Sequence, residues 1–195
     1  MNKNLLWMSV VALMGLGLTT GCQHKVGSET PASDTTAMVT ETYLTAIDRF
    51  LTDSIGVQYA PGEVCIPSWT VIGVDDSDST DIRVWGDYWV FNYKVAGDTL
   101  KCVSGGSHPG LMHVQQQDEH FAVTAFDAVG DGSTFLPTAK RIFGDRFEAF
   151  SKVNSDENQR EQVRATAIAE YVRAHSPPVT MYQDYGWPAH PLPQQ

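Results

Sequence analysis

Apolar residues at Val39, Tyr43, Leu44, Ile47, Phe50, Leu51 and Ile55 recur at helical spacing along one face, and Gly56 ends the pattern. This spacing predicts an amphipathic helix over residues 38–55. From residue 64 the period shortens. Residues 64–74 are rich in β-branched side chains, and Pro67 assigns that strand to an edge. Residues 82–95 alternate, but both sets are apolar. Trp85, Trp89, Phe91 and Tyr93 share one face, and Ile82, Val84, Tyr88 and Val90 share the other. Such a strand belongs at the centre of a sheet covered on both sides, with Gly86 as the place for a bulge. Turn residues 96–98 lead into a strand over 99–105, which resumes at 111–116; the turn at 117–119 leads into a strand over 121–128.

Helical spacing returns after Gly130, Asp131 and Gly132. Residues 137–143 predict a short helix stopped by Gly144, with a second piece through Val153. Asn154 with Glu157 three residues later resembles a capping box for a last helix, whose apolar positions are Val163, Ala167, Ile168, Tyr171 and Val172. Pro177 and Pro178 end it. The tail from 179 holds Tyr182, Tyr185 and Trp187, too many aromatics for a freely solvated end, and is expected to pack in extended form. The fold class read from this order is α+β. An N-terminal helix packs on a curved antiparallel sheet of about four strands, followed by C-terminal helices and an extended tail.

The start of the chain reads as an address. Lys3 precedes an uncharged run over 5–18, and small residues 19–21 lead to Cys22. At ~1.5 Å per residue that run spans about 21 Å, short of a ~30 Å bilayer core. The run Leu18, Thr19, Thr20, Gly21, Cys22 resembles a bacterial lipobox, with its leucine four places before the cysteine rather than three. The resemblance implies a signal peptide over 1–21 and lipidation of Cys22. It also implies a membrane attachment through that lipid, and Gln23 in place of aspartate implies the outer membrane of a Gram-negative envelope. Residues 22–37, rich in Ser, Thr, Pro and Gly, are then a flexible tether, and 38–195 form one α+β domain. A plain secreted protein cut nearby is the simpler alternative.

With 13 Lys and Arg against 23 Asp and Glu, the formal charge is −10. No basic patch offers itself to nucleic acid. If Cys22 carries lipid, Cys65 and Cys102 remain, and an even pair in an exported chain reads as a disulfide. Closing the segment between them would contribute roughly 3–4 kcal/mol. Two buried free thiols are the alternative.

A helix followed by a four-strand antiparallel meander resembles the cystatin-like and NTF2-like folds, which implies a helix lying across one face of a curved sheet. The segments at 85–90 (WGDYWV) and 104–110 (SGGSHPG) are similar to those of uncharacterised lipoproteins of Bacteroides-type bacteria, a kinship that implies no activity.

Candidate chemistry is sparse. Ser104, Ser107 and His108, with Asp127 or Asp131, contain the residue types of a nucleophile, base and orienting carboxylate, but without the strand-to-helix elbow of a hydrolase. Three glycines and a proline over 104–110 predict a segment that leaves the ladder at the sheet margin, with free N–H groups. Asp75, Asp76, Asp78 and Asp81 are hard ligands suited to calcium, yet no glycine holds the sixth loop position and a solvated hairpin loop explains them better. His108, His113 and His120 lack a partner at ligand spacing. The expectation is therefore a non-catalytic envelope lipoprotein, without catalytic residues, metal or cofactor. It would bind a small ligand or a protein partner through Ser104, Ser107, His108, Trp85 and Trp89. The alternative is a small envelope hydrolase using Ser107 and His108.

Overall fold

The computed structural model describes residues 41–193. The expected signal peptide, Cys22, the expected tether and the first residues of the expected N-terminal helix lie outside them. Helix α1 is Tyr43–Phe50, and the Thr42 hydroxyl accepts from the Thr45 N–H at its start. It is shorter than its periodicity suggests, because the chain widens into a π turn over Leu51–Ile55 and then tightens into a 3-10 turn over Gly56–Gln58. The wide turn slows the rotation per residue, so Ile47, Leu51 and Ile55, four apart, stay on one buried stripe. A side chain at Gly56 would stand 2.5 Å from Cys65 Sγ, so only glycine lets the turn lie this close to the sheet.

Seven strands follow or close the sheet: β1 (Val64–Asp75), β2 (Ile82–Ala96), β3 (Thr99–Ser107), β4 (Gly110–Gln117), β5 (His120–Ala128), β6 (Met181–Gln183) and β7 (His190–Pro191). Between β5 and β6 run α2 (Phe135–Phe143), α3 (Phe147–Ser155) and α4 (Glu157–His175). The architecture is α+β, with most of the helix after the main strands.

β2 organises the sheet. Along one side it pairs antiparallel with β1, from Val64 opposite Tyr93 to Asp75 opposite Arg83. Along its other side β3 and β4 lie end to end, Ser107 opposite Trp89 and Gly110 opposite Gly86. β5 pairs with β4, and β6 pairs with β3 in parallel. The sheet is therefore mixed and larger than the four antiparallel strands expected. The parallel strand is a tail that returns after three helices, a pairing no local pattern encodes.

The two apolar faces of β2 are each covered. Ile82, Val84, Tyr88 and Val90 pack with Ala46, Ile47, Leu51 and Ile55 on one side. On the other, Tyr93 and Leu100 pack with Ala165, Ile168 and Tyr182, and Trp85 with Ala139, Ile142, Phe143 and Phe150. Gly86 is not itself the bulge. The irregularity lies in the partner strand between Val71 and Gly73, and Gly86 leaves room for the Tyr88 ring, whose hydroxyl donates to the Val84 carbonyl at 2.8 Å.

Two further expectations are corrected. The run over 104–110 does not leave the sheet at its margin. It stays beside the central strand, paired through Ser107, and the His108 N–H donates to the Tyr88 carbonyl at 2.7 Å. The disulfide is absent, and Cys65 and Cys102 are free. They lie on strands flanking β2, Cys65 opposite Asn92 and Cys102 opposite Tyr93. Neighbouring residues of β2 point to opposite faces, and two strand spacings are about 9.6 Å, beyond disulfide reach. No helix among the described residues is long and apolar enough to cross a membrane.

Candidate functional site

On the face of the sheet that carries α4, β2 presents Trp89 and Phe91, two residues apart and so on the same side. Their rings lie 5.9 Å apart and nearly parallel. Above them α4 places Arg160 and Arg164, one turn apart, with guanidinium carbons 5.3 Å from the Trp89 ring and 3.7 Å from the Phe91 ring. The cations thus stack on the negative faces of the aromatics. Arg164 is held from two more sides: its Nε donates to Tyr93 Oη at 2.8 Å, and it pairs with Asp184 of the tail. Arg160 donates to the Asn154 carbonyl at the end of α3.

These side chains bound a half-open cavity of about 460 Å³, with Glu157, Glu161 and the tail residues Trp187 and His190 at its rim. Trp187 is 68% exposed, and Gly186 before it has φ +76°, which lets the tail turn sharply over the opening. Beside Trp89, two residues back along β2, Asp87 is 1% exposed. Its carboxylate accepts from the Asn154 amide at 3.4 Å. Burial pushes its pKa up, against smaller opposing effects from the Trp89 indole, the Asn154 amide and the Arg160 charge. The cavity is thus an aromatic floor with cations on one wall and carboxylates around them, a surface for a small ligand with both an apolar face and polar groups.

Of the five residues expected to bind ligand, Trp89 alone lines this cavity. Trp85 is a core residue: its indole donates to the Ile142 carbonyl at 2.9 Å, and the Arg146 guanidinium carbon lies 4.0 Å from its ring centre. Ser104 Oγ donates to the Ala60 carbonyl at 2.6 Å. His108 Nε2 is hydrogen-bonded to Tyr59 Oη at 2.8 Å, and burial lowers its pKa, opposed in part by Asp131. Ser107 sits opposite Trp89 and leaves the sheet on the cavity side, whereas His108 meets Tyr59 near the end of the π and 3-10 turns. Ser107 and His108 therefore do not form a nucleophile–base pair, and Asp127 stands near His113 instead, at 3.8 Å.

The other histidines do have partners. His113 Nδ1 lies 2.7 Å from Asp81, and His120 Nδ1 lies 2.7 Å from Glu41. The acidic loop turns its oxygens on itself: Asp75 accepts from Ser77 and pairs with Arg83, and Asp78 accepts from Thr80. These hydrogen bonds hold both carboxyls below the usual carboxylate range, led by the Ser77 and Thr80 hydroxyls. Among the described residues no three His, Cys, Asp or Glu side chains converge to hold a metal.

The sequence names Trp187 only as a tail aromatic, and does not mark Arg160, Arg164, Asp184 or Trp187 as site residues. The two arginines one helical turn apart were the available signal, but only the fold reveals that this turn lies over Trp89 and Phe91. Comparison of the chain with family models, with curated proteins and with solved structures gives no match.

Proposed function

We propose that the chain is a non-catalytic envelope lipoprotein, held to the outer membrane through lipid on Cys22, that binds a small ligand in the cavity between β2, α4 and the tail. The tether over 22–37 spaces the domain from the bilayer. Helix α1 lies across one face of the sheet in the manner of the helix in cystatin-like and NTF2-like folds, with α2, α3 and α4 added on the other face. The single observation that carries the ligand reading is the Trp89–Phe91 floor beneath Arg160 and Arg164, open to solvent under the exposed Trp187. A half-buried aromatic floor at an open cavity, with charged groups stacked over it and around its rim, suits recognition rather than stability alone.

The test uses full-length protein purified from envelopes in detergent. Small molecules released on denaturation are compared by mass spectrometry between the native chain and Trp187→Ala, an exposed change that leaves the fold intact. A species retained by the native chain and lost from the variant supports the reading. Equal recovery from both, or no recovery together with no shift of the Trp187 indole resonance in a fragment screen, refutes it. For the anchor, mass spectrometry of the mature N-terminus should find lipidated Cys22. Cys22→Ala should move the protein from the membrane to the soluble fraction, and an unmodified terminus elsewhere defeats the proposal.

A further inference from the structure

Among the described residues the far side of β1 has no partner strand, since β1 pairs with β2 alone. α1 and α4 stand on opposite faces of the sheet beside this edge, and together with residues 65–69 of β1 they enclose a groove of about 840 Å³. A strand edge left open between two helices is an invitation to strand addition. It is not filled by the chain's own tail, which pairs with β3 on the other side of the sheet.

The groove has a chemical sign. Asp48 of α1 and Glu170 of α4 line opposite walls, and among the described residues no lysine, arginine or histidine lines it. The two carboxylates are close enough for Glu170 to add to the desolvation that raises the Asp48 pKa. Asp48 is also fixed in place, accepting from the Trp69 indole at 2.6 Å. A cation between these walls would relieve their mutual repulsion. The remaining lining includes Ile66, Pro67, Val163 and Tyr171, apolar surface for alternate side chains of an extended chain.

We propose that this open edge of β1 docks an extended, cationic segment of a partner protein as an added strand. A second copy of this chain is a poor occupant, because it brings a formal charge of −10 and the same acidic groove. Pro67 further disfavours self-pairing: in edge strands proline turns its nitrogen outward, so an edge-to-edge pair of copies lacks donors on both sides. A foreign strand with a full set of N–H groups meets the carbonyls of the edge without that double deficit. The proposal goes beyond the small-ligand cavity and does not depend on it.

The test uses the full-length protein in detergent micelles and two synthetic peptides of about eight residues. One alternates lysine with valine and threonine, and the other carries glutamate in place of lysine. The lysine peptide should bind and slow hydrogen exchange in residues 65–69, while the glutamate peptide should not. Asp48→Asn combined with Glu170→Gln keeps size and the Trp69 hydrogen bond and should weaken the lysine peptide about tenfold or more. Trp187→Ala should leave it unchanged, which separates failure here from failure of the cavity reading. Equal binding to the double variant, protection outside the β1 edge, no binding of either peptide, or a dimer formed through β1 each overturns the proposal.

Discussion

Gly105 has φ +152°, and a Cβ there would stand 2.1 Å from the Val90 carbonyl oxygen. That oxygen belongs to the central strand and cannot withdraw, so Gly105→Ala should destabilise by about 2–4 kcal/mol, read as a lower urea midpoint. The glycines over 104–110 therefore serve close approach within the sheet, where composition alone suggested a break. Asp87 allows a second prediction at this scale. Its folded pKa is raised, so the folded state binds its proton more tightly than the unfolded chain does. Whatever stability the protonated form contributes is complete below the ordinary carboxylate range and is lost as pH rises through the raised value. Asp87→Asn removes that loss. The variant should melt higher than the native protein at pH 7, and the difference should vanish toward about pH 3. A lower melting temperature at pH 7 would show that the charge is needed by Arg160. Candidate residues were legible here only where an aromatic had a strand face to occupy. Trp89 was found on that ground, while Trp85, two turns of the pleat earlier, is sealed by α2 and α3, which sequence spacing does not place.

At the level of elements, period decided most and non-local pairing decided the rest. The two-sided apolar alternation of β2 foretold a strand buried on both faces, because burial is a property of each residue and its neighbours two away. The bulge in β3 between Cys102 and Ser104, opposite Asn92 and Tyr93, and the parallel pairing of β6 after three intervening helices are set by the partner strands instead. Neither leaves a local signature. Caps fall between these cases. The sequence offers Asn154 and Glu157 as a box, but Asp156 is the cap, its carboxylate accepting from the Gln159 N–H at 3.0 Å. Asn154 is drawn instead to Asp87 on β2. Asp156→Ala should therefore lower stability by about 1 kcal/mol, measured by denaturant titration. Asn154→Ala, by contrast, should act through the Asp87 environment and leave the helix content seen by circular dichroism unchanged.

Across the whole molecule the end of the chain completes what its middle leaves open. Tyr93 on β2 and Leu100 on β3 are fully buried because Tyr182 and Val179 of the tail join Ala165 and Ile168 over them. The same tail supplies Asp184 to Arg164, and Trp187 and His190 to the cavity rim. Fold and candidate site thus share one support. Tyr182→Ala removes a ring that is 3% exposed, and truncation of a buried aromatic costs about 3–5 kcal/mol. Because β6 is three residues long and pairs with β3 alone among the main strands, that loss should be concentrated in the tail. Hydrogen exchange should then speed up first at residues 181–183 and 99–101, with the β1–β2 ladder still protected, and Arg164 should lose Asp184 as the tail lifts. Any ligand held under Trp187 should be lost from this variant together with the tail's protection. Uniform acceleration across the whole sheet would instead make the tail part of one cooperative unit with β2.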